Sequence, residues 1–275
     1  MAVPITWEVP MAESLTHLIS SPFKAALEFI KLIVLGTGIL SLPIQMLSIF
    51  VRASSISDDK LDFRGQAPSD EKVGGELASI GPEELLPDFE FMPLPIGGTD
   101  KYAEHKLRFS HMGLFTFLTT LLRPKSRGTV RLASKNPYDR PKVDCNFMSD
   151  PADWPMIRKA IRVALKLGRG VKKTGFPLIS GAIVPESESD SDIDKLIVQR
   201  ARSVYHWSST CRMAPESDDA PGVVADDLRV HGFSNLRVCD ASIFPQTICT
   251  HTMAPVVMVA EKCADMIKAT NAGKS

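Results

Sequence analysis

The last quarter of the chain constrains its fold more than any other stretch. Two short alternating segments, Leu228-Arg229-Val230-His231 and Leu236-Arg237-Val238-Cys239, flank a turn built on Gly232. The second runs directly into Asp240-Ala241-Ser242, and Thr250-His251-Thr252-Met253-Ala254-Pro255 then opens a long amphipathic stretch. Alternation bounded by a glycine turn predicts two strands. Across 252–269, Val256, Ala260, Cys263, Ala264 and Ile267 share one helical face, with Glu261, Lys262, Asp265 and Lys268 on the other. Upstream, Tyr205-His206-Trp207-Ser208-Ser209-Thr210-Cys211-Arg212-Met213 sets a further histidine among small polar residues. Two histidines in such contexts, a strand ending in Asp-Ala-Ser and a helix opening on Ala-Pro make a site, not merely a core.

The rest of the chain reads as a mixture of helices and strands. Residues 12–28 predict a helix broken at Ser21-Pro22 and resumed from Phe23. By hydropathy alone, 29–51 is long enough to cross a bilayer. Lys31, the central Gly36 and Gly38, and Pro43 favour a buried helix, a turn and a second helix instead. Gly36-Thr37-Gly38 imitates a dinucleotide fingerprint, but Ser41 holds the third glycine position and Pro43 falls in the first turns of the helix that should follow.

Residues 54–85 read as a polar surface loop with short helical pieces. Residues 89–94, 111–122 and 127–132 predict strands, Asn136-Pro137-Tyr138-Asp139 a turn, and 141–147 an extended piece. A helix opens near Asp150, with Ile157, Ile161, Ala164 and Leu165 on its apolar face. Its Arg158, Lys159, Arg162 and Lys166 read as a solvated surface, and the acidic run 186–192 as a solubilising loop before a helix over 193–203.

Composition excludes several function classes. Lys plus Arg and Asp plus Glu both number 32 in 275 residues, which removes the electrostatic case for a nucleic-acid partner. Five cysteines without a C-x-x-C pair argue for reduced thiols, not a disulfide framework. A zinc site from His206, Cys211, Cys239 and His251 lacks paired-ligand spacing, so no metal is expected. The first ten residues show no secretory pattern and read like the middle of a protein.

The order and spacing of the C-terminal motifs resemble the glucose–methanol–choline family of flavin oxidoreductases. His206-Trp207-Ser208-Ser209-Thr210-Cys211-Arg212-Met213-Ala214 stands where that family has its H-x-x-G-T-C-R-M-G-like motif, with Ser209 and Ala214 replacing glycines. Ser126-Arg127-Gly128-Thr129-Val130, Pro141 and Asn146-Phe147 resemble its substrate-domain sheet. The resemblance covers nearly all of the chain but only the C-terminal half of a family member, without the N-terminal ADP-binding unit. It implies FAD as cofactor, His206 as catalytic base and His251 as the second catalytic position. It further implies cofactor contacts from Asp240, Ala241, Thr252, Met253 and Ala254.

Chemistry agrees with those roles. Alcohol oxidation needs a base for the hydroxyl proton while hydride leaves carbon for flavin N5. Imidazole titrates near neutral pH, and a second polar group can hold the developing alkoxide. A helix N-terminus opening at Met253-Ala254-Pro255 suits an anionic ring edge, although Asp240 and Pro255 would also serve simply as a turn cap and a helix start. The expected class is α+β: a substrate domain over 1–200 with a mixed or antiparallel sheet and flanking helices. Residues 201–275 would then be the C-terminal part of a Rossmann-like FAD domain. The expected partner is a small-molecule alcohol, with no nucleic acid and no membrane. The alternative is a flavin-free, inactive remnant or partner-binding module.

Overall fold

A computed structural model describes residues 1–62, 85–99 and 101–272, so most of the expected polar loop at 54–85 lies outside the described residues. They form two compact units, Met1–Leu121 with Pro151–Arg202, and Leu122–Asp150 with Ser203–Ser275. The second unit thus takes in the 122–150 segment, where the sequence suggests a single cut after residue 200. Strands are β1 (Ala2–Val9), β2 (Ile49–Val51), β3 (Phe89–Leu94), β4 (Gly113–Leu121), β5 (Thr129–Arg131), β6 (Lys142–Asp144) and β7 (Gly181–Ile183). The longer helices are α1 (Pro22–Leu35), α2 (Asp153–Lys173), α3 (Asp190–Arg200) and α4 (Met253–Ala272).

The first unit is an antiparallel sheet in the order β2-β3-β4-β1-β7, flanked by helices, as the expected α+β class requires. β1 sits inside the sheet despite Pro4, which cannot donate to a ladder. The even-numbered residues of β1 face away from β4: Ala2 bonds Arg202, and Glu8 bonds Ser180 and Ile179. β7 itself meets β1 only at Thr6 and Trp7, so Pro4 falls in a gap where no bond is demanded of it. Ile5, Phe89, Phe91, Leu114 and Leu121 are fully buried with Ile157 and Ile161 of α2 and Ile193 and Ile197 of α3. Each such side chain contributes about 1.5–3 kcal/mol of apolar burial. Gly168 lets α2 approach the sheet, because a Cβ there would stand 2.4 Å from the Trp7 ring.

The charged faces around α2 are paired, which corrects the reading of them as merely solvated. Arg158 grips Asp194 with Nε and Nη2 at 2.7 and 2.6 Å, and Nη1 reaches Asp190 at 3.2 Å. Arg162 bonds Asp190 at 2.5 Å, and Arg169 bonds Glu188 at 2.5 Å. Lys159 bonds Asp58 and the carbonyls of Ala53 and Ile56; Lys166 bonds Asp62 and the carbonyl of Lys60. The acidic run at 186–192 is therefore the counter-charge of the basic helix face.

The apolar run beginning at Phe23 departs further from expectation. α1 starts at an Ser21 cap with Pro22 in its first turn and stops at Gly36, left-handed at φ 63°. Gly36-Thr37-Gly38 is thus a helix stop and follows no strand. Before β2 the expected second helix is reduced to a single 3-10 turn, Ile39–Ser41, and no residue of α1 is buried. Phe23 is 80% exposed, Val34 70% and Met46 72%. Among the described residues, no helix is long and apolar enough to cross a membrane.

In the second unit β5 and β6 pair as an exposed hairpin. Val224, Leu228, Ile243, Phe244 and Cys263 form the core, covered by Val256, Val259 and Met266 from α4. The buried stripe of α4 is therefore rotated from the expected one, and Ala260 and Ile267 are exposed. The two predicted strands do not form as such: their segments lie side by side through an isolated bridge between Arg229 and Arg237, with Val230 N–H donating to Leu236 and Val238 N–H to Leu228.

Candidate active site

Every candidate residue lies in the second unit, and its backbone explains how two distant motifs meet. The Asp240 carboxylate accepts from Ser242 N–H at 2.8 Å and caps a short helical turn, Ala241–Ile243. The carbonyls of that turn receive the His206 loop. Ser209 N–H donates to Ala241, Cys211 N–H to Ser242 and Met213 N–H to Ile243, at 3.3, 2.9 and 2.8 Å. Ile243 and Phe244 are anchored in the core, so the loop is clipped to a fixed edge. His231 holds the far end, its Nε2 lying 2.9 Å from the Ala214 carbonyl.

This docking brings His206 beside His251. The rings meet edge to face, with centroids 5.1 Å apart and planes at 83°. Both are half-buried, so each keeps a route to solvent. Two residues on, α4 begins. Val256 N–H donates to the Thr252 carbonyl at 3.0 Å, closing the first turn. Met253 and Ala254 stand exposed at that N-terminus, Met253 at 79%. Helix geometry leaves the amides of this first turn without intrahelical partners.

The structure thus gathers His206 and His251, sets Ala241 under the His206 loop, and places Asp240 at the adjoining cap. Thr252, Met253 and Ala254 follow His251 directly. The capping reading of Asp240 is realised, and it leaves the residue exposed for contact. Sequence reasoning missed the Ser208–Thr247 contact, whose hydroxyls lie 3.4 Å apart and join the two histidine-bearing segments. No local signal could have found it, since neither residue has a distinctive spacing. It did single out Ser209, and the backbone shows why: Ser209 sits at φ 70° and Tyr205 at φ 63°, in the left-handed region that favours glycine.

The family profile of GMC oxidoreductases matches residues 124–260. The chain belongs to the GMC oxidoreductase family. Among GMC relatives, an oxygen-dependent choline dehydrogenase of Chromohalobacter salexigens is 34% identical over 184 residues, covering 66% of this chain and 31% of its own length. An alcohol dehydrogenase [acceptor] of Pseudomonas putida is 33% identical over 211 residues, covering 74% of this chain and 36% of its own. The chain spans about a third of the length of such curated relatives. A formate oxidase variant from Aspergillus oryzae RIB40 shares the fold over 99% of this chain and 46% of its own, with TM-score 0.76 and 24% identity. A fungal aryl-alcohol oxidase does so over 97% and 46%, with TM-score 0.65 and 23% identity.

Proposed function

We propose that this GMC chain carries the proton-handling site of an FAD-dependent oxidoreductase acting on the CH–OH group of a small alcohol. The observation that carries the reading is the edge-to-face pairing of His206 and His251 at 5.1 Å, beside the open N-terminus of α4. His206 is the base that takes the hydroxyl proton, and His251 hydrogen-bonds the substrate oxygen as charge develops there. Residues 1–200 serve substrate binding, and 201–275 the cofactor.

The residues present fit the ring end of FAD. Exposed Met253 offers an apolar surface, Ala254 adds no bulk, and the first-turn amides of α4 suit an anionic edge. Asp240 and Ala241 offer a polar edge, and Thr252 sits at the helix start. When bound, FAD supplies the hydride acceptor. The names of the relatives motivate choline and other primary or secondary alcohols as substrates.

One observation favours the flavin-free alternative: Ser209 occupies left-handed backbone, strained at the loop that carries the base. Titrating the chain with FAD, then adding choline or a primary aryl alcohol without oxygen, separates the two. A perturbed flavin spectrum that bleaches with alcohol is expected. A colourless protein that still melts cooperatively would replace this reading with the flavin-free one.

A further inference from the structure

We infer that the outward face of α1 is a self-association surface, on which a second copy of this chain packs across a two-fold axis. The inference does not depend on the proposed alcohol chemistry.

α1 is amphipathic in the wrong sense for a helix facing water. Phe23, Leu27, Ile30 and Val34 recur at spacings of four, three and four, so they form one stripe along it. All four are exposed, Leu27 the least at 44%. Ala25, Glu28 and Leu32 lie on the opposite side and are half-buried. Glu28 is the one carboxylate of α1, and on that inner side it bonds Lys31 Nζ at 2.5 Å and Ile39 N–H at 3.0 Å. A surface helix ordinarily turns its apolar stripe inward and its charges outward. Here the order is reversed, which stabilises the chain only if another apolar surface meets the stripe.

Area and charge select the occupant. The Glu28–Ile39 bond ties the segment after Gly36 to α1, and Leu40, Leu42, Ile44, Met46 and Leu47 of that segment are exposed as well. The large apolar side chains exposed between Phe23 and Leu47 together leave on the order of 700 Å² in water. That exceeds the about 300–600 Å² of the largest patch on a typical monomer. It is close to the about 800 Å² that each partner gives to a standard interface. No charge interrupts the stripe, and Lys31 at its flank is paired with Glu28. A charged partner has nothing to recognise there, whereas an identical stripe does.

The stripe is also complementary to itself. Between antiparallel helices related by a two-fold axis, Phe23 of one copy meets Val34 of the other, and Leu27 meets Ile30. Large meets small at the ends, and equal volumes meet in the middle. The four-three-four spacing is the seam that such helix pairs use.

The test measures the mass of the folded chain by sedimentation velocity from low to high micromolar, in low and in high salt. The expected result is a reversible monomer–dimer equilibrium that persists in high salt. Ile30→Glu and Leu27→Lys should each raise the dissociation constant by about 100-fold or more, since each buries an unpaired charge in the interface. Both positions are exposed in the single copy, so circular dichroism should show an unchanged fold. An equimolar mixture of the two variants should pair again, because ammonium and carboxylate then face each other. Leu132→Glu, at an exposed leucine of the second unit, should leave the dimer intact. A chain that is monomeric throughout, or that forms only aggregates of no fixed mass, overturns the inference. So does a dimer that survives Ile30→Glu, or one that Leu132→Glu disrupts equally. Monomers that float with phosphatidylcholine vesicles would overturn it too and assign the face to lipid. Variants that stay monomeric on mixing would overturn the antiparallel seam.

Discussion

The imidazoles of His206 and His251 meet edge to face, with ring centroids 5.1 Å apart. The His206 loop is held by hydrogen bonds to the turn that Asp240 caps, and Ser208 meets Thr247 of the His251 segment. Under the proposed chemistry, His206→Ala should lower alcohol-dependent flavin reduction by about 10²–10⁴-fold, the usual worth of a general base. The bound-flavin spectrum should remain. Stopped-flow absorbance decides it: reduction at the unsubstituted rate would remove His206 from the base role.

Ser209 lies two residues before Cys211, in backbone that L-residues adopt at a cost of roughly 1–2 kcal/mol. Among the described residues its hydroxyl makes only a long 3.4 Å contact to Ser208. Relief of backbone strain outweighs that contact, so Ser209→Gly should stabilise the fold by about 1 kcal/mol, less the extra flexibility of glycine in the unfolded chain. Urea unfolding reads this directly, and a lowered midpoint contradicts the strain assignment.

Gly168 in α2 presses on Trp7, whose ring also stands edge-on to Phe117 at 5.9 Å. Gly168→Ala would gain about 1 kcal/mol of helix propensity. A Cβ at 2.4 Å from a ring held on both sides must move one element, and overpacking costs about 1–3 kcal/mol. The clash should win, with net destabilisation of about 1 kcal/mol and a shifted Trp emission maximum. Unchanged emission and a higher melting temperature would show that the ring yields freely.

Arg158 and Asp194 form a two-pronged pair with both side chains largely shielded from solvent. Arg158→Met keeps the stem but not the fork, and should cost about 1 kcal/mol, falling as salt is raised. Chemical unfolding at low and high ionic strength gives the two values. A cost that does not change with salt would assign the loss to packing over Trp154, which Arg158 also covers.

Acid should loosen the 186–194 segment. Lys195, then Ser187, hold the Asp192 carboxyl down at about 2, and Arg162 holds Asp190 below its ordinary range. Carboxyls depressed by folding stabilise the native state above their unfolded values and lose that contribution as pH falls through the folded ones. The expected window for Asp192 runs from its ordinary value of about 4 down to about 2. Unfolding midpoints measured across that window should fall with acid, and Asp192→Asn should flatten the slope. An equal slope in that variant would place the acid sensitivity elsewhere.

Much of the candidate site is legible in the chain alone. The contexts of His206 and His251, the Asp240-Ala241 pair and the helix opening at Met253 are local patterns, and local patterns survive without a fold. The helices at 153–173 and 190–200 and the strands at 89–94 and 113–121 are legible for the same reason: apolar spacing and caps belong to neighbouring residues. β1 was not legible, because Pro4 argues against an inner strand until the gap beside it is known.

What the tertiary structure alone decides are relationships between residues far apart in sequence. Hydropathy marks 29–51 as apolar, but burial needs a covering surface, and no residue of α1 is buried. Charge marks 158–166 as a basic stripe and 186–192 as an acidic run, but only the return of α3 onto α2 makes them counter-ions. Sequence determined which groups could do chemistry here. Only the fold sets two of them side by side, since the backbone bonds that hold the His206 loop to the Ala241–Ile243 turn, and the Ser208–Thr247 contact beside them, join residues that no local pattern relates.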